Sequence, residues 1–322
     1  MIVKKGLPSF YLTTNPADVF NPVVKFLAGS EIDVDQLLPE QVPSYLEQSI
    51  LVAKNPFVAS KFFNLYMKSF VKNILDHDLH DPANEGILGA VNSYYGCVEA
   101  QGRGTLHCHM LVWLEGALNC EEIRDRVQGG NIDFQRRLVE FLDGTISNEI
   151  PPVPATQQNV PSSTYNPCTV RGLNAESFVD QKSTEQEDLY NIIKNCQAHQ
   201  HTATCYKYWK GPPDVKEYHF DLGDHRQQPC TYFDEDTEDI HLRCLDGLVN
   251  NFNKTIICTI CCNMDIKYIG SGPSAKADIY YITDYITKSH LKTHVTFAAL
   301  EVAVRKLNAV DTEGDTVTVR AK

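Results

Sequence analysis

The run Leu106-His107-Cys108-His109-Met110-Leu111-Val112-Trp113-Leu114 limits the folds open to this chain more than any other segment, because its pattern is that of a strand inside a sheet. Side chains alternate faces along a strand, so Leu106, Cys108, Met110, Val112 and Leu114 share one apolar face and the two histidines share the other. Just before it, Tyr95 to Gln101 is a second strand-like run, and Gly102-Arg103-Gly104 supplies the turn that makes the two an antiparallel hairpin. Such a strand buries one face in a core and carries two imidazoles on the other, where they can share a cation.

Glu99 and Gln101 are also two residues apart and share a face, and antiparallel pairing brings them beside the histidines. Mg2+ prefers oxygen ligands and Mn2+ accepts imidazole, so His107 and His109 call for a further hard ligand. Glu99 is the first candidate because of its charge, Gln101 the second, and Asp265 a lower-ranked alternative. The same residues also fit a plainer arrangement, in which the histidines are half-exposed strand residues and Glu99 pairs with Arg103.

A second candidate metal site is Cys196-x-x-His199-x-His201-x-x-x-Cys205, with thiolate and imidazole ligands at zinc-like intervals. The chain has 11 cysteines, an odd number spread through strand-like and helix-like runs, which predicts reduced thiols and some Zn2+ ligands rather than a disulfide framework. Cys258-x-x-Cys261-Cys262 lies in an apolar run and reads as core. Downstream, Ala275 to Lys288 has a helical pattern with Ser274 as N-cap. Tyr281 and Tyr285 stand four apart on one helix face, and Lys288 continues it.

Together these segments resemble the HUH endonucleases of rolling-circle replication, in particular the Rep-like domain of Helitron transposases, also described as a Helitron helicase-like domain. Phe10-Tyr11-Leu12-Thr13-Thr14-Asn15-Pro16-Ala17-Asp18 is similar to the opening strand and turn of that family, and Glu99-Ala100-Gln101-Gly102-Arg103-Gly104 before His107-Cys108-His109 to its most specific signature. Asp246 to Asn253, Cys262 to Ile266 and Tyr281 to Lys288 resemble later family segments in the same order.

The resemblance implies a metal-dependent, tyrosine-type single-strand DNA endonuclease and strand transferase of a Helitron-like rolling-circle transposon. Mg2+ or Mn2+ would be held by His107, His109 and Glu99 or Gln101, with Tyr281 or Tyr285 as nucleophile facing the histidines and Lys288 supplying positive charge. It also implies a zinc site completed by a cysteine in a Cys-Arg-Phe stretch. Here that place reads Tyr218-His219-Phe220, with His219 or Cys230 as substitutes. No phosphate-binding Gly-x-x-x-x-Gly-Lys-Ser/Thr loop is found, so the expectation is a chain lacking the helicase region and working with a helicase domain or protein supplied separately.

Single-stranded DNA is the expected partner, with Arg103 at the turn and Lys207, Tyr208 and Trp209 as a basic, aromatic contact patch. The net charge of −12 opposes this, since phosphate contacts favour a basic surface. It favours a rival reading, a decayed or host-adopted copy acting only as a DNA- or protein-binding module. A generic metal-dependent hydrolase is a further rival. No run is long and apolar enough for a membrane span or signal-peptide core, which predicts an intracellular, nuclear protein without membrane contact.

The expected fold is α+β, a central antiparallel sheet of HUH/Rep type flanked by helices, with a loop-rich Cys/His insertion. Residues 1–150 would form the N-terminal part with the histidine strand, 151–235 the linker and insertion, and 236–322 the part with the tyrosine helix. Helices are expected near Ser60 to Asp76, Glu121 to Leu142 and Glu176 to Cys196.

Overall fold

The computed structural model describes residues 2–31, 44–77, 85–100, 105–154, 166–169, 181–206, 209–210, 222–234, 236, 239–270, 277, 279, 280 and 283. The chain divides into two units, Met1–Asp278 and Ile279–Lys322. Within the second, the described positions 279, 280 and 283 are helical, and the Thr283 hydroxyl donates to the Ile279 carbonyl at 2.7 Å.

In chain order the first unit contains α1 (Ile2–Lys5), β1 (Phe10–Thr14), α2 (Pro22–Leu27), α3 (Tyr45–Lys54), α4 (Pro56–Asn73), β2 (Val91–Ala100) and β3 (Leu106–Leu114). It continues with α5 (Cys120–Gln128), α6 (Ile132–Thr145), α7 (Gln181–Ile192), β4 (Tyr232–Phe233), β5 (Ile240–His241), α8 (Lys254–Ile260) and β6 (Met264–Tyr268). Four strands form one antiparallel sheet in the order β2-β3-β1-β6, while β4 and β5 pair separately as a small hairpin around the acidic run that begins at Asp234. The fold is therefore α+β.

One face of the sheet carries the main core. Phe10 and Leu12 of β1, Cys108, Met110 and Val112 of β3, and Met264 and Ile266 of β6 point into it, as the alternation in β3 requires. Phe63 and Phe70 of α4, Ile192 at the end of α7, and Ile256, Ile257 and Ile260 of α8 fill the other side of the same core. Each such side chain contributes roughly 1.5–3 kcal/mol relative to exposure. Pro56 starts α4, where a missing N–H costs nothing, and Asn253 starts α8 by accepting from the Ile256 N–H at 3.0 Å. A smaller core joins Val19, Val24 of α2, Val52 of α3, and Ala59 and Phe62 of α4.

Two departures from the sequence pattern have clear causes. The expected helix from Glu121 to Leu142 is two helices, because Gly129-Gly130 interrupts it and Gly130 takes φ +69°. Asn131 then caps the second by accepting from the Phe134 N–H at 3.1 Å. The helix expected to end at Cys196 changes at Ile193 into a π-helix that runs to Gln197. This extra turn buries Gln197, whose Nε2 donates to the Met264 carbonyl at 2.6 Å and whose Oε1 accepts from the Met264 N–H at 3.1 Å. The side-chain amide thus pairs the outer edge of β6 as a neighbouring strand would.

Candidate metal centre

The sheet register assembles the candidate site. Glu99 on β2 stands opposite His107, and His109 lies between Cys97 on β2 and Thr13 on β1. Directly opposed residues share a face, so Glu99, His107, His109 and Thr13 all project from the side of the sheet away from the main core. That side is also buried along β3. His107 and His109 are 6% and 8% exposed, so the half-exposed alternative does not hold. Tyr11, Leu111 and Trp113 continue the same buried face, with the Trp113 indole N–H donating to the Gly6 carbonyl at 3.0 Å.

Three ligand atoms converge there. The two Nε2 atoms of His107 and His109 are 2.9 Å apart, and Glu99 Oε2 lies 3.2 Å from the first and 3.4 Å from the second. Ligands held at ~2.1 Å from one ion are ~3.0 Å apart at octahedral cis positions and ~3.4 Å apart in a tetrahedron. The two edges to Glu99 lie within this span and the 2.9 Å edge between the histidines is at its lower end to within about 0.1 Å, so the residues present fit a single divalent cation. The rings are nearly perpendicular, at 85° with centroids 4.7 Å apart, which lets both Nε2 atoms aim at one point. The Glu99 side chain is a third exposed, whereas both histidines are buried, so the group borders solvent at Glu99.

Beyond these three ligand atoms, Tyr11 and Thr13 hold His109 from behind. The Tyr11 hydroxyl is 2.6 Å and the Thr13 hydroxyl 3.0 Å from His109 Nδ1, and the Tyr11 ring stacks on the imidazole at 9°. Sequence reasoning did not single out either residue. The alternation of Tyr11 and Thr13 was visible, but their pairing with His109 depends on a register between strands 98 residues apart. Asp18 sits near the start of β3, accepting from the Val19 N–H at 2.8 Å and from the backbone of Leu106. Burial pushes its carboxyl above the usual carboxylate range. Asp265 pairs with Thr13 from the far side of β1, two strands and about 10 Å from His109, and is not in the converging group.

A second group brings His199, His201 and Cys205 within 4.8 Å of one another. Cys205 Sγ is 3.4 Å from His199 Nε2, near the ~3.6 Å expected of sulfur and nitrogen ligands on one tetrahedral zinc. Burial and the neighbouring His201 lower the pKa of His199, favouring the neutral ring that binds metal. Cys196 was expected to join this set. The π-helix instead turns its thiol into the core, where it donates to the Cys261 carbonyl at 3.7 Å. Burial, reinforced by Cys261, pushes this thiol up to about 12, in keeping with its place as a protonated core thiol, and it is not in the converging group. Cys261 and Cys262 are buried, in keeping with their reading as core residues.

Of the other expected site residues, Trp209 is half-buried and its backbone N–H donates to the Tyr206 carbonyl at 3.0 Å, while Cys230 is exposed and outside both groups. Gln101, Arg103, Lys207, Tyr208, His219, Tyr281, Tyr285 and Lys288 lie outside the described residues. Among the described residues, no helix is long and apolar enough to cross a membrane.

Residues 1–112 match the family described as the Helitron helicase-like domain at the N-terminus. The match takes in β1, β2 and β3 as far as Val112, and so includes Tyr11, Thr13, Glu99 and both histidines. No curated protein and no solved structure matches the chain. Over residues 1–112, the chain is thus similar to a Helitron helicase-like N-terminal domain.

Proposed function

We propose that the protein is a metal-dependent single-strand DNA endonuclease and strand transferase of the tyrosine type, serving a Helitron-like rolling-circle element. The observation that carries this reading is the convergence of Glu99 Oε2 and the two histidine Nε2 atoms at the separations of ligands on one cation. Mn2+ suits two imidazoles and a carboxylate, and Mg2+ is the alternative. A cation held there supplies positive charge to a scissile phosphate. The protein's part is to hold the rings fixed: Tyr11 and Thr13 orient His109, and Glu99 offsets the charge of the ion.

The nucleophile enters on the sequence resemblance. The phenol oxygen of Tyr281 or Tyr285 forms a new bond to phosphorus while the bond from phosphorus to the 3′-oxygen breaks. The phenol proton passes to solvent and the departing 3′-oxygen takes one up. A phenol of pKa ~10 needs a nearby positive charge, the role proposed for Lys288. Zinc at His199, His201 and Cys205 would brace the insertion. A helicase activity would come from another domain or protein. A second reading is a decayed or host-adopted copy that only binds DNA or protein; the net charge of −12, which opposes phosphate contacts, favours protein as the partner in that case.

The test uses a single strand labelled at its 3′ end, with and without Mn2+, resolved on a denaturing gel. The proposal expects a labelled protein adduct that requires Mn2+ and disappears in His107→Ala and in the double variant Tyr281→Phe, Tyr285→Phe. Undiminished cleavage by the double-phenylalanine protein would make water the nucleophile. Binding without cleavage in the wild type would leave the binding-module reading.

A further inference from the structure

Both hydroxyls of the His face on β1 converge on one atom, His109 Nδ1, at 2.6 Å for Tyr11 and 3.0 Å for Thr13. Tyr11 is 2% exposed, so bulk water has little access to replace its hydroxyl. An imidazole that ligates through Nε2 must carry its proton on Nδ1, and that N–H needs an acceptor to fix the tautomer and the ring direction. With the His109 proton on Nδ1, its Nε2 lone pair is left for a ligand bond, 2.9 Å from His107 Nε2 and 3.4 Å from Glu99 Oε2.

We propose that Tyr11 is the positioning residue of the cation site: its hydroxyl oxygen accepts from His109 Nδ1–H, with Thr13 as auxiliary acceptor, and thereby holds the Nε2 lone pair toward Glu99 and His107. The inference rests on the cation reading given above. It adds a role for the first strand of the chain, which contributes no ligand but selects the ligand form of a histidine on the next strand. The stacked Tyr11 ring, 5.9 Å from the imidazole, is a packing contact that phenylalanine would keep.

The experiment uses the full chain with nitrogen-15 histidine and three proteins: wild type, Tyr11→Phe and Thr13→Val. Long-range proton–nitrogen spectra without metal report the tautomer of His109, and Mn2+ titration followed by electron paramagnetic resonance reports affinity. Wild type should show the Nδ1–H form. Tyr11→Phe should show a mixture and bind Mn2+ about 10-fold more weakly, the low end of the effect of removing an outer partner of a ligand histidine. Thr13→Val should move both readouts in the same direction by less. An unchanged tautomer in Tyr11→Phe would overturn the inference, whether or not Mn2+ binds, and so would a redistributed tautomer with unchanged Mn2+ affinity. Absence of Mn2+ binding in the wild type would instead remove the cation reading. Should Tyr11→Phe fail to fold, a tautomer shift in Thr13→Val supports the arrangement and its absence opposes it.

Discussion

Replacing Gln197 with leucine should cost the fold about 3 kcal/mol, although the residue touches no candidate ligand. Its Nε2 donates to the Met264 carbonyl at 2.6 Å, and its Oε1 accepts from the Met264 N–H and from Asn263 Nδ2, both at 3.1 Å. Met264 is fully buried, so its freed N–H and C=O would find no water, at about 1–3 kcal/mol for each group. Two further contacts, to the Asn250 and Asn251 carbonyls at 3.4 and 3.3 Å, are long and add little. The sum runs from about 2 to 6 kcal/mol, and the apolar surface that leucine buries recovers about 1–2 kcal/mol of it. Urea unfolding followed by the fluorescence of buried Trp113 gives the measurement. Gln197→Glu should also destabilise, because a carboxylate oxygen would then face the Met264 carbonyl. A loss below about 1 kcal/mol for Gln197→Leu would show that the amide is not acting as the missing strand partner of β6.

Zinc analysis of the purified protein should find metal that is lost in Cys205→Ser; stoichiometric zinc in that variant would make Cys205 an ordinary packing residue. Asp18 gives a pH dependence whose sign follows from its burial. Its folded pKa lies above the unfolded value, so its contribution to stability is fully present below the unfolded pKa and is lost as pH rises through the folded one. The stability of Asp18→Asn relative to wild type should therefore improve from pH 3 to pH 7. A difference that is flat or falls with pH in paired urea titrations would contradict this.

The hairpin of β2 and β3 was legible because its alternation acts over short range and its two strands are close in sequence, and its register alone places Glu99 opposite His107. Reading Glu99 as the first choice for third ligand needed nothing more distant than that pairing of neighbouring strands. Tyr11 and Thr13 were hidden because their partnership with His109 is set by the long-range pairing of β1 with β3. Cys196 looked like a ligand by spacing alone, but a π-helix, for which local sequence carries little signal, turned its thiol into the core. Gln197 was invisible for a related reason, since a glutamine near a helix end reads as surface until a buried strand edge is found beside it. The break between α5 and α6 was within reach of sequence reasoning, because Gly129-Gly130 is a strong helix interrupter and Asn131 a good cap.

The central claim is that Glu99, His107 and His109 hold one cation. Anomalous scattering at the manganese edge, from crystals soaked in Mn2+, tests it most directly. The account predicts a peak about 2.1–2.3 Å from both Nε2 atoms and from Glu99 Oε2, lost in Glu99→Gln together with at least about a 10-fold fall in Mn2+ affinity. Density at another site alone, or a peak at the histidines that survives Glu99→Gln at full occupancy, would contradict it.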